Sequence, residues 1–205
     1  MAEIGCARLP YRRTMGYSAV LTNVMLAVAF AGKLGSGKTT VTRSLAEVLE
    51  WPRAGFGDYV REAARKQGVE GTRENLQAVG SQLLDSDPGA FCASVLLGCG
   101  WKAGQNLIID GLRHVETIEI IRKLVFPAAL KIVFISVPEP TRLERLRQRG
   151  ESDVVTAERH STEQQVSSAV YSCADLVIDG NRPLRSIVAE LTEWIANLQG
   201  NDLDP

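Results

Sequence analysis

Apolar residues gather into short dense blocks along this chain, separated by stretches in which they return every third or fourth position. The dense blocks are Met25–Ala31, Asn106–Asp110, Leu130–Val137 and Leu176–Ile178. Each is short, bounded by Gly, Pro or polar residues, and so predicts a buried strand. Arg53–Gly57 predicts a further short strand and turn. The helical spacing predicts helices over Thr40–Leu49, from Asp58 as N-cap through about Lys66, over Arg73–Leu84, from Ala90 to about Gly98, and over Glu139–Arg149. Val115, Ile118 and Ile121 mark another helix, and Leu184, Ile187, Val188, Leu191, Ile195 and Leu198 a last one. Strand and helix alternate throughout. The fold class that follows is α/β, a parallel sheet of about five strands flanked by helices in three layers.

Between the first strand and the first helix lies Gly32-Lys33-Leu34-Gly35-Ser36-Gly37-Lys38-Thr39, which matches the phosphate-binding loop pattern in the context that pattern requires. Glycines 32, 35 and 37 let successive backbone N–H groups turn inward around a polyphosphate at the positive end of the following helix. Lys38 then reaches the outer phosphates, Ser36 and Thr40 border them, and the Thr39 hydroxyl faces Mg²⁺. The fold is therefore expected to be a P-loop NTPase, and the cofactors ATP and Mg²⁺.

Composition narrows the partners. A chain of 205 residues, 45% of them apolar, suits one domain with a full core. Lys and Arg number 23 against 24 Asp and Glu, a formal charge of −1. No global basic field draws in a polymeric nucleic acid or an anionic membrane, and neither is expected as a partner. Four cysteines without Cys-x-x-Cys spacing and two histidines predict no metal framework of their own and fit a reducing cytoplasm. Cys92 and Cys99 are expected to share a buried helix face. Tyr11-Arg12-Arg13 before an apolar stretch superficially resembles a targeting segment, but Val24–Ala31 is needed as the strand that feeds the loop, so no cleaved signal is expected. No run reaches the eighteen or so apolar residues of a membrane span. Residues 1–24 form an N-terminal extension to a domain over 25–200, in which 58–100 make a helical acceptor-binding insertion and about 149–162 a lid.

Several side chains could carry chemistry beside the loop. Asp110, a carboxylate at a strand end, is the second candidate anchor for Mg²⁺, with a helix-capping role as the alternative. Asp58 and Arg61 lie three apart on one helix; Arg61 could grip an acceptor's phosphate or carboxylate, while Asp58 accepts a proton or orients the attacking group. Arg113 could join them. Arg142, Arg145 and Arg149 recur at helical spacing, and guanidinium groups over a transferring phosphate are worth about 10³ to 10⁵ in rate. An exposed, salt-bridged helix is the competing reading. Arg159 and His160 suit surface or lid contact, and His114 a helix start. Asn181 and Arg182, between the last strand and last helix, could border a nucleoside base.

With these positions in view, the chain resembles the nucleoside-monophosphate-kinase branch of P-loop proteins, which includes adenylate kinases, dephospho-coenzyme A kinases and small kinase-like ATPases. The resemblance runs from Met25 to about Leu198. Gly57-Asp58-Tyr59-Val60-Arg61 resembles that branch's Gly-Asp-x-x-Arg acceptor motif, Asp110-Gly111-Leu112-Arg113 its Asp-Gly-x-x-Arg segment with one residue fewer, and the Arg-rich helix before Gly150 its lid entrance. Asn181-Arg182-Pro183 stands where the branch often packs adenine. The Phe-Pro typical of adenylate kinases after Asp-Gly is absent, and the lid lacks zinc cysteines. The resemblance implies a phosphotransferase, monomeric or homodimeric, that moves the γ-phosphoryl group of ATP to a small phosphorylated acceptor such as a (deoxy)nucleoside monophosphate. A nucleotide-driven switch without a small acceptor, and a kinase of dephospho-coenzyme A or another metabolite, stay open at this point.

Overall fold

The computed structural model describes residues 24–150 and 169–200. Its five strands are β1 (Leu26–Ala31), β2 (Arg53–Gly55), β3 (Leu107–Asp110), β4 (Ala129–Ser136) and β5 (Leu176–Asp179). They form one sheet in the order β2-β3-β1-β4-β5, with every pairing parallel. The helices among the described residues are α1 (Lys38–Leu49), α2 (Phe56–Lys66), α3 (Arg73–Ser86), α4 (Pro88–Gly98), α5 (Glu116–Val125), α6 (Glu139–Gln148) and α7 (Leu184–Gly200).

The two-residue period of the strands builds two cores. Leu26, Val28 and Phe30 of β1 face Val41 and Leu45 of α1 and Ile187, Leu191 and Ile195 of α7. Ala27, Ala29 and Ala31, from the same strand, face the opposite layer, where Phe91, Val95 and Leu96 of α4 and Ile118 and Ile121 of α5 pack. Small side chains on that face leave room for the larger ones above them. Each fully buried Leu, Ile or Phe contributes about 1.5–3 kcal/mol.

β1 is central, and the chain leaves it toward opposite edges of the sheet, so a crevice opens beyond the carboxyl ends of β1, β3 and β4. Asp110, last in β3, is level with Phe30 of β1 and Gly55 of β2. α2, α3 and α4 rise over the β2–β3 side. Phe91 of α4 joins them, its ring 5.4 Å from that of Phe56 and 5.8 Å from that of Tyr59.

Several boundaries differ from expectation, and α1 opens at Lys38 rather than Thr40. Asp58 does not cap α2: the helix begins at Phe56 after the extended Gly55, and Asp58 stands in its first turn. Its side chain is drawn sideways by arginines instead of back to the helix's own N–H groups. α4 begins at Pro88 rather than Ala90, because Asp87 accepts the Ala90 N–H at 2.8 Å and proline is favoured in a first turn. α3 runs to Ser86, two residues past Leu84, and opens on a Thr72 cap. Of the expected extension and lid, residues 1–23 and 151–162, with Arg159 and His160, lie outside the described residues. No described helix is long and apolar enough to cross a membrane.

Candidate functional site

The loop between β1 and α1 is shaped by its glycines and held from outside. Gly35 and Gly37 have φ of 76° and 86°, in the left-handed region, and Gly37 ends the loop as the N-cap of α1 with no side chain covering the helix's first N–H groups. Those N–H groups, at the positive end of a twelve-residue helix, make a ready seat for phosphate oxygens. Lys38, only 8% exposed, curls back over the loop. Its ammonium donates to the carbonyls of Gly32 and Lys33, the latter at 2.9 Å, and lies 3.4 Å from Ser36 Oγ.

Arg142 is placed apart from its expected companions. It is 2% exposed and donates at 3.0 Å to the Leu34 carbonyl, so its guanidinium grips the loop from α6. Arg145, one turn on, donates at 3.1 Å to the Gly180 carbonyl and comes close to Gly37. Arg149 is exposed and reaches the main cavity. The three arginines thus divide between loop support, a bridge to the β5–α7 connection, and the crevice. In that connection the Asn181 N–H donates to Asp179 Oδ1 at 2.9 Å, and Arg182 pairs with Glu190 of α7.

A cavity of about 640 Å³ runs from the loop to α2 and α3. Gly35, Gly37, Lys38, Thr39 and Thr40 form its phosphate end; Asp58, Arg61, Arg73, Arg113 and Arg149 line the rest, with Asp110 between. His114 lines it too, while its carbonyl accepts the Thr117 N–H at 3.2 Å at the entry to α5. Asp58, Arg61, Asp110 and Arg113, scattered over 56 positions of sequence, therefore meet in one space with the loop.

Behind two of its lining carboxylates stands a residue that the sequence does not mark out. Arg53, first in β2, donates through Nε to Thr42 Oγ1 at 3.0 Å, through Nη1 to Asp58 Oδ2 at 2.8 Å, and through Nη2 to Asp110 Oδ2. Arg61 bonds the other oxygen of Asp58, Oδ1, at 2.5 Å. Burial pushes the Asp58 carboxyl up, but the hydrogen bonds from Arg53 and Arg61 outweigh it and hold the group below the usual carboxylate range. Burial likewise opposes the charge on Arg53, and its two carboxylates more than restore it. The sequence carries little signal of it, because Arg53 opens an edge strand of three residues and its acidic partner Asp110 is distant in the chain.

Thr39 and Asp110 both line the cavity beside the seat for phosphates. Hydroxyl and carboxylate oxygens are the hard ligands Mg²⁺ takes, commonly one or two from protein with the rest from phosphates and water, so these two residues fit that ion. Among the described residues no cluster of three or more His, Cys, Asp or Glu could hold a metal without such help.

Comparison with known proteins agrees with this architecture. The AAA domain family matches residues 28–165. A UPF0200 protein of Aeropyrum pernix is 36% identical over 129 residues, 62% of this chain and 66% of that protein. A UPF0200 protein of Pyrococcus abyssi is 32% identical over 129 residues, 62% of this chain and 68% of that one. Among solved structures, shikimate kinase from Acinetobacter baumannii in complex with shikimate superimposes with a TM-score of 0.55 at 19% identity, covering 89% of this chain and 97% of that one. The fold is that of a P-loop kinase-like nucleotide-binding protein.

Proposed function

This chain belongs to the AAA domain family and to the UPF0200 proteins, and from that premise we propose that it transfers the γ-phosphoryl group of ATP to a small phosphorylated acceptor, a (deoxy)nucleoside monophosphate. One observation carries the reading: a single cavity joins the phosphate loop to a cluster of Arg61, Arg73, Arg113 and Arg149. A switch that only hydrolyses a nucleotide has no use for so many guanidinium groups facing its terminal phosphate, whereas an enzyme joining two anionic substrates must neutralise both.

The loop N–H groups and Lys38 hold the donor's phosphates, and Thr39 and Asp110 would hold magnesium, which when bound spreads the phosphates' negative charge. Arg145, between Gly37 and the β5–α7 connection, lies on the donor side with Asn181 and Arg182. Arg61 and Arg113 grip the acceptor's phosphate and set it in line, and Arg149 reaches toward the group in transit. Arg142 acts through the loop it grips. Asp58 has both oxygens engaged by guanidinium groups, which makes it an orienting anion and a poor proton acceptor. The attacking oxygen is then one that arrives ionised, as a phosphate monoester does, rather than a hydroxyl needing a base.

The test is ADP formation from ATP and magnesium across a panel of nucleoside and deoxynucleoside monophosphates, their parent nucleosides and dephospho-coenzyme A, with products identified by ³¹P NMR. The reading expects stimulation by a monophosphate and a new phosphoanhydride. Hydrolysis indifferent to every acceptor would overturn it in favour of a switch, and a phosphate ester formed on a hydroxyl in favour of a metabolite kinase.

A further inference from the structure

The bonds around Arg53 form a small built assembly. Three acceptors from three elements converge on one guanidinium: Thr42 from α1, Asp58 from α2 and Asp110 from β3. Its side chain is 15% exposed and that of Asp110 7%, so the pair is shielded from the water that weakens surface ion pairs. The backbone is shaped to permit it. A Cβ on Gly55 would stand 2.3 Å from Asp58 Oδ2 and 3.3 Å from Arg53 Nη1, so only glycine there lets the Asp58 carboxylate fold back to its partner.

The geometry points to Arg53 as a positioning residue for phosphoryl transfer, the group that fixes the acceptor-side carboxylate Asp58 and the donor-side carboxylate Asp110 at one mutual spacing. Arg53 lines no part of the cavity; it acts from behind the two carboxylates that do. Arg53 bonds each carboxylate through Oδ2, and Oδ1 of Asp58 accepts from Arg61. Because Nε is anchored on Thr42 in the first turns of α1, the same guanidinium also ties both carboxylates to the helix whose N-terminus seats the phosphates. Donor and acceptor halves of the cavity are thereby held in register by a planar fork with fixed angles, a task an ammonium cannot copy.

This inference rests on the phosphotransferase reading, and the experiment separates the two. Wild-type protein, Arg53→Lys and Thr42→Val are compared for acceptor-dependent transfer, for binding of ADP with magnesium by calorimetry, and for Tm. Arg53→Lys keeps the charge and loses the fork; kcat is expected to fall about 10²-fold, as for a misplacement of about 1 Å, while the KM for ATP and the affinity for ADP stay within about threefold. Thr42→Val removes the anchor of Nε together with the hydroxyl's own bond to the Thr39 carbonyl, at 3.2 Å, and is expected to lower kcat by about tenfold in a protein that remains folded, which keeps the test decisive should Arg53→Lys not fold. If both variants transfer as fast as wild type, or if ADP affinity and Tm fall in step with kcat, Arg53 is not a positioning residue. If wild-type protein shows no acceptor-dependent transfer, the phosphotransferase reading fails, and this role fails with it.

Discussion

Replacing Gly35 by alanine tests how tightly the phosphate loop is gripped. At φ 76° a side chain costs about 1–2 kcal/mol through the clash of Cβ with backbone. The added Cβ would also stand 2.8 Å from the Arg142 carbonyl oxygen, 3.3 Å from the Arg142 Cα and 3.1 Å from Leu146 Cγ. Two of those three atoms are backbone of α6, which cannot swing aside as a flexible side chain would. Overpacking of this kind costs about 1–3 kcal/mol more. The sum, about 2–5 kcal/mol, is a large part of a domain's stability and corresponds to a fall in Tm of roughly 4–20 °C for a chain of this size. Gly37→Ala is the internal control. Its φ of 86° carries the same strain, but its Cβ would meet only Arg145 Nη1, at 3.8 Å, so it should lose the smaller amount alone. Calorimetric scans of both variants, with titrations of ADP and magnesium, measure the difference. Should Gly35→Ala melt no lower than Gly37→Ala and bind nucleotide as wild type does, the grip of α6 on the loop is not what the distances imply.

Three further outcomes are expected. Lys38→Ala should lower transfer by about 10³-fold or more through loss of phosphate stabilisation, leaving a cooperative unfolding transition; retained transfer would refute the assignment of the loop. Acid should reveal the Asp58 bonds. Its folded pKa lies below the ordinary 3.8, so the stability it brings is fully present above that value and is lost as pH falls through the lower folded one. Tm followed from pH 6 to pH 2.5 should therefore drop more steeply in wild type than in Asp58→Asn, and parallel curves would count against those bonds. Burial pushes the Cys92 thiol up to about 11, while Cys173 is exposed; at pH 8 a disulfide reagent should modify Cys173 quickly and Cys92 only on unfolding.

Much of the fold was legible in the chain because its central strands are buried on both faces, whereas the edge strand β5 leaves Val177 exposed. Leu107-Ile108-Ile109 and Leu130–Val137 read as near-continuous apolar runs for that reason, and the loop pattern marks the first crossover without ambiguity. Strand order was not legible, since periodicity says which residues are inside and nothing of which strand lies beside which. Within the site, Asp58, Arg61, Asp110 and Arg113 stand out by spacing from glycines, and the structure gathers them. Arg142 shares their spacing logic and faces elsewhere: its neighbours Leu143 and Leu146 could not show that the buried side of α6 is the side carrying the guanidinium. Arg53 and the true start of α2 were missed together. A three-residue strand gives no period to read, and the partners that make its arginine tolerable lie 5 and 57 positions away.

The ammonium of Lys38, seated on its own loop's carbonyls, has a bearing on which anions can compete for that loop. A ligand must replace two carbonyl bonds that already satisfy the cation, so a lone orthophosphate gains little by entering, whereas a chain of phosphates recoups the exchange along several amides at once.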